Sequence, residues 1–207
     1  MPEERLVTLA GAGEFHLVEK KSEFIGYACP ISSEKDALDF IASVREKNPD
    51  ARHNVSAYVC GAAVHASDDG EPQGTGGVPV LDVIRKSGLD RTVIVVTRYF
   101  GGILLGAGGL VRAYSGAAAG AVRAAGIAEY EKFIECFFKC GYGDYKKLLY
   151  EAGRFRIISD GTEFGDGVTV RCAVYFEDYD ALALKISDLT GGKVTVVRTG
   201  ERFDTKK

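Results

Sequence analysis

No stretch of this sequence approaches the roughly 20 consecutive apolar residues that a membrane-spanning helix needs. Nor does a basic excess mark it as a protein that grips long nucleic acid. Of 207 residues, 26 are Lys or Arg and 29 are Asp or Glu, a net charge of −3. Divided at Tyr130, the first part holds 13 basic and 16 acidic residues and the second 13 of each. Binding duplex DNA through its phosphates requires a cationic surplus that neither part has. The five cysteines are odd in number and contain no Cys-x-x-Cys pair, which fits reduced thiols better than a disulfide framework. The opening Met1-Pro2-Glu3-Glu4-Arg5 is too acidic and polar for a secretion signal. The expectation is a cytoplasmic protein with no membrane partner.

Several chemical signatures are missing too. There is no G-x-x-x-x-G-K-[ST], and no G-x-G-x-x-G follows Thr97, so phosphate-loop nucleotidases and dinucleotide enzymes are excluded. Neither H-E-x-x-H nor an acidic calcium loop occurs. No metal and no cofactor is expected.

What is present is glycine, concentrated between Ser67 and Tyr114. One loop runs Ser67-Asp68-Asp69-Gly70-Glu71-Pro72-Gln73-Gly74-Thr75-Gly76-Gly77. A second runs Arg98-Tyr99-Phe100-Gly101-Gly102, then Gly106-Ala107-Gly108-Gly109-Leu110-Val111-Arg112. Each leads into a helix. Free amides at a helix start favour anions, and glycines let a phosphate come close. The anion-binding candidates are therefore Gly74, Thr75, Gly76, Arg98, Gly101, Gly102, Gly106, Gly108, Gly109 and Arg112. Acid–base chemistry has weaker candidates in His53, Asp68, Asp69 and Glu71, with His65 just upstream of the first loop. The simpler reading is that the carboxylates pair with Arg98 and Arg112 and hold the loops together. Tyr58, Tyr99, Phe100 and Tyr114 could offer stacking faces, although core packing suits Phe100 better.

Local patterns supply the framework. Leu6–Leu9 and Phe15–Val18 read as strands joined by a hairpin at Gly11-Ala12-Gly13, and Phe24–Cys29 as a third. Lys20-Lys21-Ser22 reads as a solvated turn. Ser33 caps a helix whose apolar stripe is Ala37, Phe40, Ile41 and Val44. Val55–Cys60 is a half-buried strand. A helix over Thr75–Ser87 is capped by Thr75. Thr92–Thr97 is a strand buried on both faces. The helix from Ala107 to Gly126 carries a ridge of Gly109, Ala113, Gly116 and Gly120, which suits close packing.

Beyond Glu131 the order becomes strand Phe133–Phe138, helix Tyr142–Gly153, strands Arg154–Phe164 and Val168–Phe176, helix Asp178–Leu189, and strand Lys193–Val197. That is the ferredoxin-like β-α-β-β-α-β order. The tail past Phe203 reads as loose. The fold class is α+β in two domains, 1–130 and 131–207.

Together with Asp50-Ala51-Arg52-His53, Leu105 to Tyr114 and the opening Lys20-Lys21-Ser22-Glu23-Phe24-Ile25, the two loops resemble the YigZ/Impact family. The resemblance covers about Glu19 to Ala125. The second half, including Asp188-Leu189-Thr190-Gly191-Gly192, is similar to the C-terminal domain of the bacterial YigZ branch. It implies an N-terminal domain similar to one in a small-subunit ribosomal protein and in elongation factor G, followed by a ferredoxin-like domain. Val55 stands where the family often has cysteine, and Glu23 where a basic residue is usual. The expected role is non-enzymatic binding of RNA or ribosome-associated translation machinery through the two loops. The alternative is an enzyme acting on a small phosphorylated or anionic metabolite there.

Overall fold

The computed structural model describes residues 5–205. It divides into two compact units, Val7–Ala128 and a second that takes Glu129 onward with Arg5 and Leu6. The chain begins with β1 (Arg5–Leu9), which pairs with β7 (Ile127–Cys140) rather than turning back on the next strand. The hairpin expected at Gly11-Ala12-Gly13 does not form: the two strands lie in different sheets.

The first unit contains β2 (Gly13–Glu19), β3 (Ser22–Pro30), α1 (Glu34–Lys47), β4 (His53–Cys60) and β5 (Ala63–Ser67). It continues with α2 (Gly77–Lys86), β6 (Thr92–Tyr99) and α3 (Ala107–Ala125). The strands form one antiparallel sheet in the order β2-β3-β6-β4-β5. Central β6 is buried on both faces, as its apolar run requires. Val93 and Val95 join Ile25, Tyr27 and Tyr58 against Ala37, Ile41 and Val44 of α1. Ile94 and Val96 point the other way, joining Phe24, Val55 and Ala57 against α2 and α3. Each such fully buried aliphatic side chain contributes about 1.5–3 kcal/mol.

Helix α1 begins as its sequence dictates. The Ser33 hydroxyl accepts the Asp36 amide at 3.2 Å, and Asn48-Pro49 ends the helix. Helix α3 lies almost backbone to backbone on the sheet. A Cβ at Gly26 would stand 2.5 Å from the Ala117 carbonyl oxygen, and one at Gly120 would stand 2.1 Å from the Phe15 ring. The glycine ridge is thus a packing surface, and it fixes where the N-terminus of α3 lies.

The second unit has β7, α4 (Tyr142–Ala152), β8 (Ile157–Phe164), β9 (Val168–Tyr175), α5 (Tyr179–Thr190) and β10 (Val196–Asp204). The order β10-β7-β9-β8, antiparallel throughout, is the ferredoxin-like arrangement. Its last strand starts and ends later than the sequence suggests. Asp204 still pairs with Glu131, so the segment just past Phe203 is held in the sheet, whereas Lys206 and Lys207 lie outside the described residues. No helix among the described residues is long and apolar enough to cross a membrane.

Candidate functional site

The first glycine loop is organised by a carboxylate of the protein itself. Asp68 follows β5 directly, and its side chain accepts the amides of Gly74, Gly76 and Gly77 at 2.8, 2.9 and 2.8 Å. Burial pushes this carboxyl up, but the amides of Gly74, Gly77 and Gly76 together outweigh that and hold it below the usual carboxylate range. Helix α2 therefore starts at Gly77 with Asp68 as its acceptor, not at Thr75. The Thr75 hydroxyl donates instead to the Pro72 carbonyl at 2.6 Å. The amides of Gly74 and Gly76 are engaged, and Thr75 is buried, so this loop offers little to an outside anion. Gly74 lines a different groove, of about 530 Å³, with Val78 of α2 and Val111 of α3.

Asp69 is committed as well. Held at φ +44°, it accepts the Asn54 amide at 2.6 Å and pairs with Arg45. Its carbonyl accepts a hydrogen bond from His53 Nδ1 at 2.8 Å. That bond places the proton on Nδ1 and leaves Nε2 as the ring atom without a partner among the described residues.

Glu71 ties the first loop to the second. One carboxylate oxygen accepts from Arg98 Nη1 and from the Tyr114 hydroxyl, both at 2.7 Å. All three residues are buried; Arg98 is 7% exposed and Tyr114 fully enclosed. Burial, and then the bond to Glu71, drive the Tyr114 phenol far up, so it stays a neutral donor. The pairing expected of Arg98 is present. Arg112 differs: it is exposed and forms no ion pair among the described residues.

The second loop is open. No side chain among the described residues caps α3, whose N-cap is Gly106 at φ +71°. Gly108 and Gly109 follow in its first turn, with Arg112 near Gly108, and Gly102 bends the chain at φ +83°. Gly101 packs against the Lys20-Lys21 turn. Its amide donates to the Ser22 hydroxyl at 3.1 Å, and a Cβ there would lie 2.0 Å from the Lys21 carbonyl. Lys20 and Lys21 sit at φ +46° and +65° between β2 and β3. This is the two-residue arrangement that asparagine and glycine usually occupy. Each lysine there costs roughly 1–2 kcal/mol.

Phe24, Arg98 and His53 are direct partners across β3, β6 and β4 and so share one face of the sheet. Beside them is a cleft of about 240 Å³ lined by Arg52, His53, Arg98, Phe100 and Leu104. Phe100 is 52% exposed, contrary to the core role expected of it, because the chain leaves the sheet at Tyr99. Its ring centroid is 5.6 Å from Arg98 Cζ. Of the other aromatic candidates, Tyr114 and Tyr58 are buried. His65 stacks on Tyr58, which packs with α1 on the opposite face from His53, so the two histidines do not form one site. Arg52 and Leu104 are the cleft residues that sequence reasoning left out of the site, and Phe100 is the stacking candidate it assigned to the core. The position of Arg52 beside His53 in a shared motif was the available signal.

Comparison with known proteins agrees with this architecture. Residues 20–122 match the Impact N-terminal domain, and residues 138–193 match a domain of unknown function, DUF1949. The chain is 36% identical over 197 residues to the IMPACT family member YvyE of Bacillus subtilis, covering 94% of this chain and 90% of that one. It is 35% identical over 190 residues to the IMPACT family member YigZ of Escherichia coli, covering 88% and 92%. A crystal structure described as that of a hypothetical protein superimposes with a TM-score of 0.66 at 31% identity, over 95% of this chain and 98% of its own. With both domain matches in order and relatives aligned over most of their length, this chain belongs to the IMPACT family.

Proposed function

We propose that this protein is a non-enzymatic module that binds single-stranded RNA, in the setting of the translation machinery, through the second glycine loop and the cleft beside it. The observation that carries this reading is the half-exposed Phe100 ring next to Arg98, with exposed Arg52 in the same cleft. Lys20, Lys21, Arg52 and Arg112 are exposed and have no acidic partner among the described residues. A base stacks on an aromatic face while cations follow the strand, which is how sequence-tolerant single-strand binders work. The small number of cations suits a short single strand better than a duplex.

Anisotropy titrations of single-stranded and structured RNA at several salt concentrations test this. Four phosphate contacts predict a log–log salt slope of roughly −3. An affinity that ignores salt, or one unchanged by Lys21→Ala with Arg112→Ala, sinks the assignment. Catalysis on a small anionic metabolite is the second reading, favoured by the unpartnered Nε2 of His53 in the cleft. Against it, Asp68, Asp69 and Glu71 are all spent on internal hydrogen bonds. Turnover of phosphomonoesters that His53→Asn abolishes would favour it over binding.

A further inference from the structure

We propose that the cleft beside Phe100 is a site for the terminal phosphomonoester of a single RNA strand. This rests on the RNA-binding reading above and deepens it. Size is the first argument. At about 240 Å³ the cleft falls below the roughly 300–1,000 Å³ of sites that enclose a whole small molecule. A phosphoryl group and part of its sugar fit, and the base must stay outside. The exposed Phe100 ring is where it would stack.

The polar lining is the second argument. Arg52 and Arg98 can only donate, and both line the cleft; His53 Nε2, with the ring proton on Nδ1, is an acceptor that suits a ligand hydroxyl. The two carboxylate residues bonded to His53 and Arg98 are both occupied. Asp69 serves Arg45 and the Asn54 amide, and Glu71 serves Arg98 and Tyr114. The free donors in the lining are the Arg52 guanidinium and Arg98 Nε, and both call for an anion.

The third is Arg98 itself. Its Nε is the one buried side-chain nitrogen or oxygen among the described residues that has no hydrogen-bond partner. Native proteins rarely leave such a group orphaned. The guanidinium lies between the Phe24 and Phe100 rings, with Cζ 5.5 and 5.6 Å from their centroids. A ligand oxygen in the cleft would be the acceptor that Nε lacks.

Charge separates a chain end from an internal phosphate. A terminal phosphomonoester carries about −1.5 to −2 charges at neutral pH and three acceptor oxygens. An internal diester carries a single charge and must pass chain out on both sides. A small cleft with a buried arginine in its wall suits the end. Lys21, pressed against Gly101 beside Phe100, stands where the following phosphates would run.

The test uses one internally labelled oligoribonucleotide in three forms: 5′-phosphate, 3′-phosphate, and hydroxyl at both ends. One phosphorylated form should bind about tenfold more tightly than the hydroxyl form, and inorganic phosphate should erode that advantage. Arg52 is exposed, so Arg52→Ala leaves the fold intact, and it should abolish the preference. Phe100→Ala should weaken all three forms alike. Equal affinity for the three forms would overturn the phosphate site while leaving RNA binding standing. Failure of every form to bind would overturn both. A preference that survives Arg52→Ala would also overturn the proposal, because the end would then be read elsewhere.

Discussion

In front of α2, three amides converge on the carboxylate of Asp68; in front of α3, no side chain among the described residues caps the helix. The two stretches have similar composition, and each puts glycines before a helix start. Their difference lies eight residues upstream of the first helix's N-cap, in an aspartate that fills the anion position from within. Glycine therefore signals that something must approach the backbone closely, and the surrounding chain decides whether that is an internal group or a ligand. The closed loop serves as scaffold through Asp68, Asp69 and Glu71. The open loop faces solvent with Arg112 and the Lys20-Lys21 turn beside it.

Removing the link between the loops should do most damage. Glu71→Ala leaves Arg98 buried without its counter-charge and Tyr114 without an acceptor, which should cost about 3–5 kcal/mol in urea denaturation. If the loss is below 1 kcal/mol, the pair is incidental and the two loops are independent.

Next is the closed loop's own anion. Asp68→Asn should destabilise by about 2–3 kcal/mol, since three amides lose a charged acceptor. Asp68 has a depressed folded pKa, so its contribution is complete above about pH 4, the ordinary aspartate value. It is lost as pH falls through the lower folded value. The variant should therefore show a shallower loss of stability on acidification than the parent, and parallel acid arms would contradict the capping role.

The open side should respond in binding, not in stability. Phe100→Ala should leave the denaturation midpoint within about 0.5 kcal/mol of the parent and weaken single-stranded RNA binding by about 1–3 kcal/mol. The smallest effect has the opposite sign. Replacing Lys20 with Asn and Lys21 with Gly relieves two residues held at positive φ. Asparagine keeps part of the penalty and glycine loosens the unfolded chain, so the net gain should be about 1 kcal/mol, while RNA binding weakens. A variant that gains stability and keeps its affinity would remove the lysines from the interface.

Much of the framework was legible locally. The Ser33 cap, the doubly buried Thr92–Thr97 run and the β-α-β-β-α-β order each depend on residues within one element or its neighbours. The features missed depend on distant partners. Whether β1 pairs with β2 or with β7 is not written in five alternating residues. Short β5 is recognisable only through its ladder with β4. Thr75 met the rules for a helix cap, and only the folded turn shows that Asp68 reaches those amides first. Site residues were legible as a set, because the motifs concentrate them. Their division into scaffold and surface was not, because it depends on which side chains the fold turns inward.

The exposed ring of Phe100 has a practical consequence. The chain contains no tryptophan, so its near-ultraviolet emission is dominated by tyrosine. Phe100→Trp would put a single indole at the mouth of the cleft, beside the Arg98 guanidinium, without disturbing a packed core. Its emission would report the local environment of this one position. The loop would thus carry its own optical probe, sensitive to any base, phosphate or protein surface that settles over it.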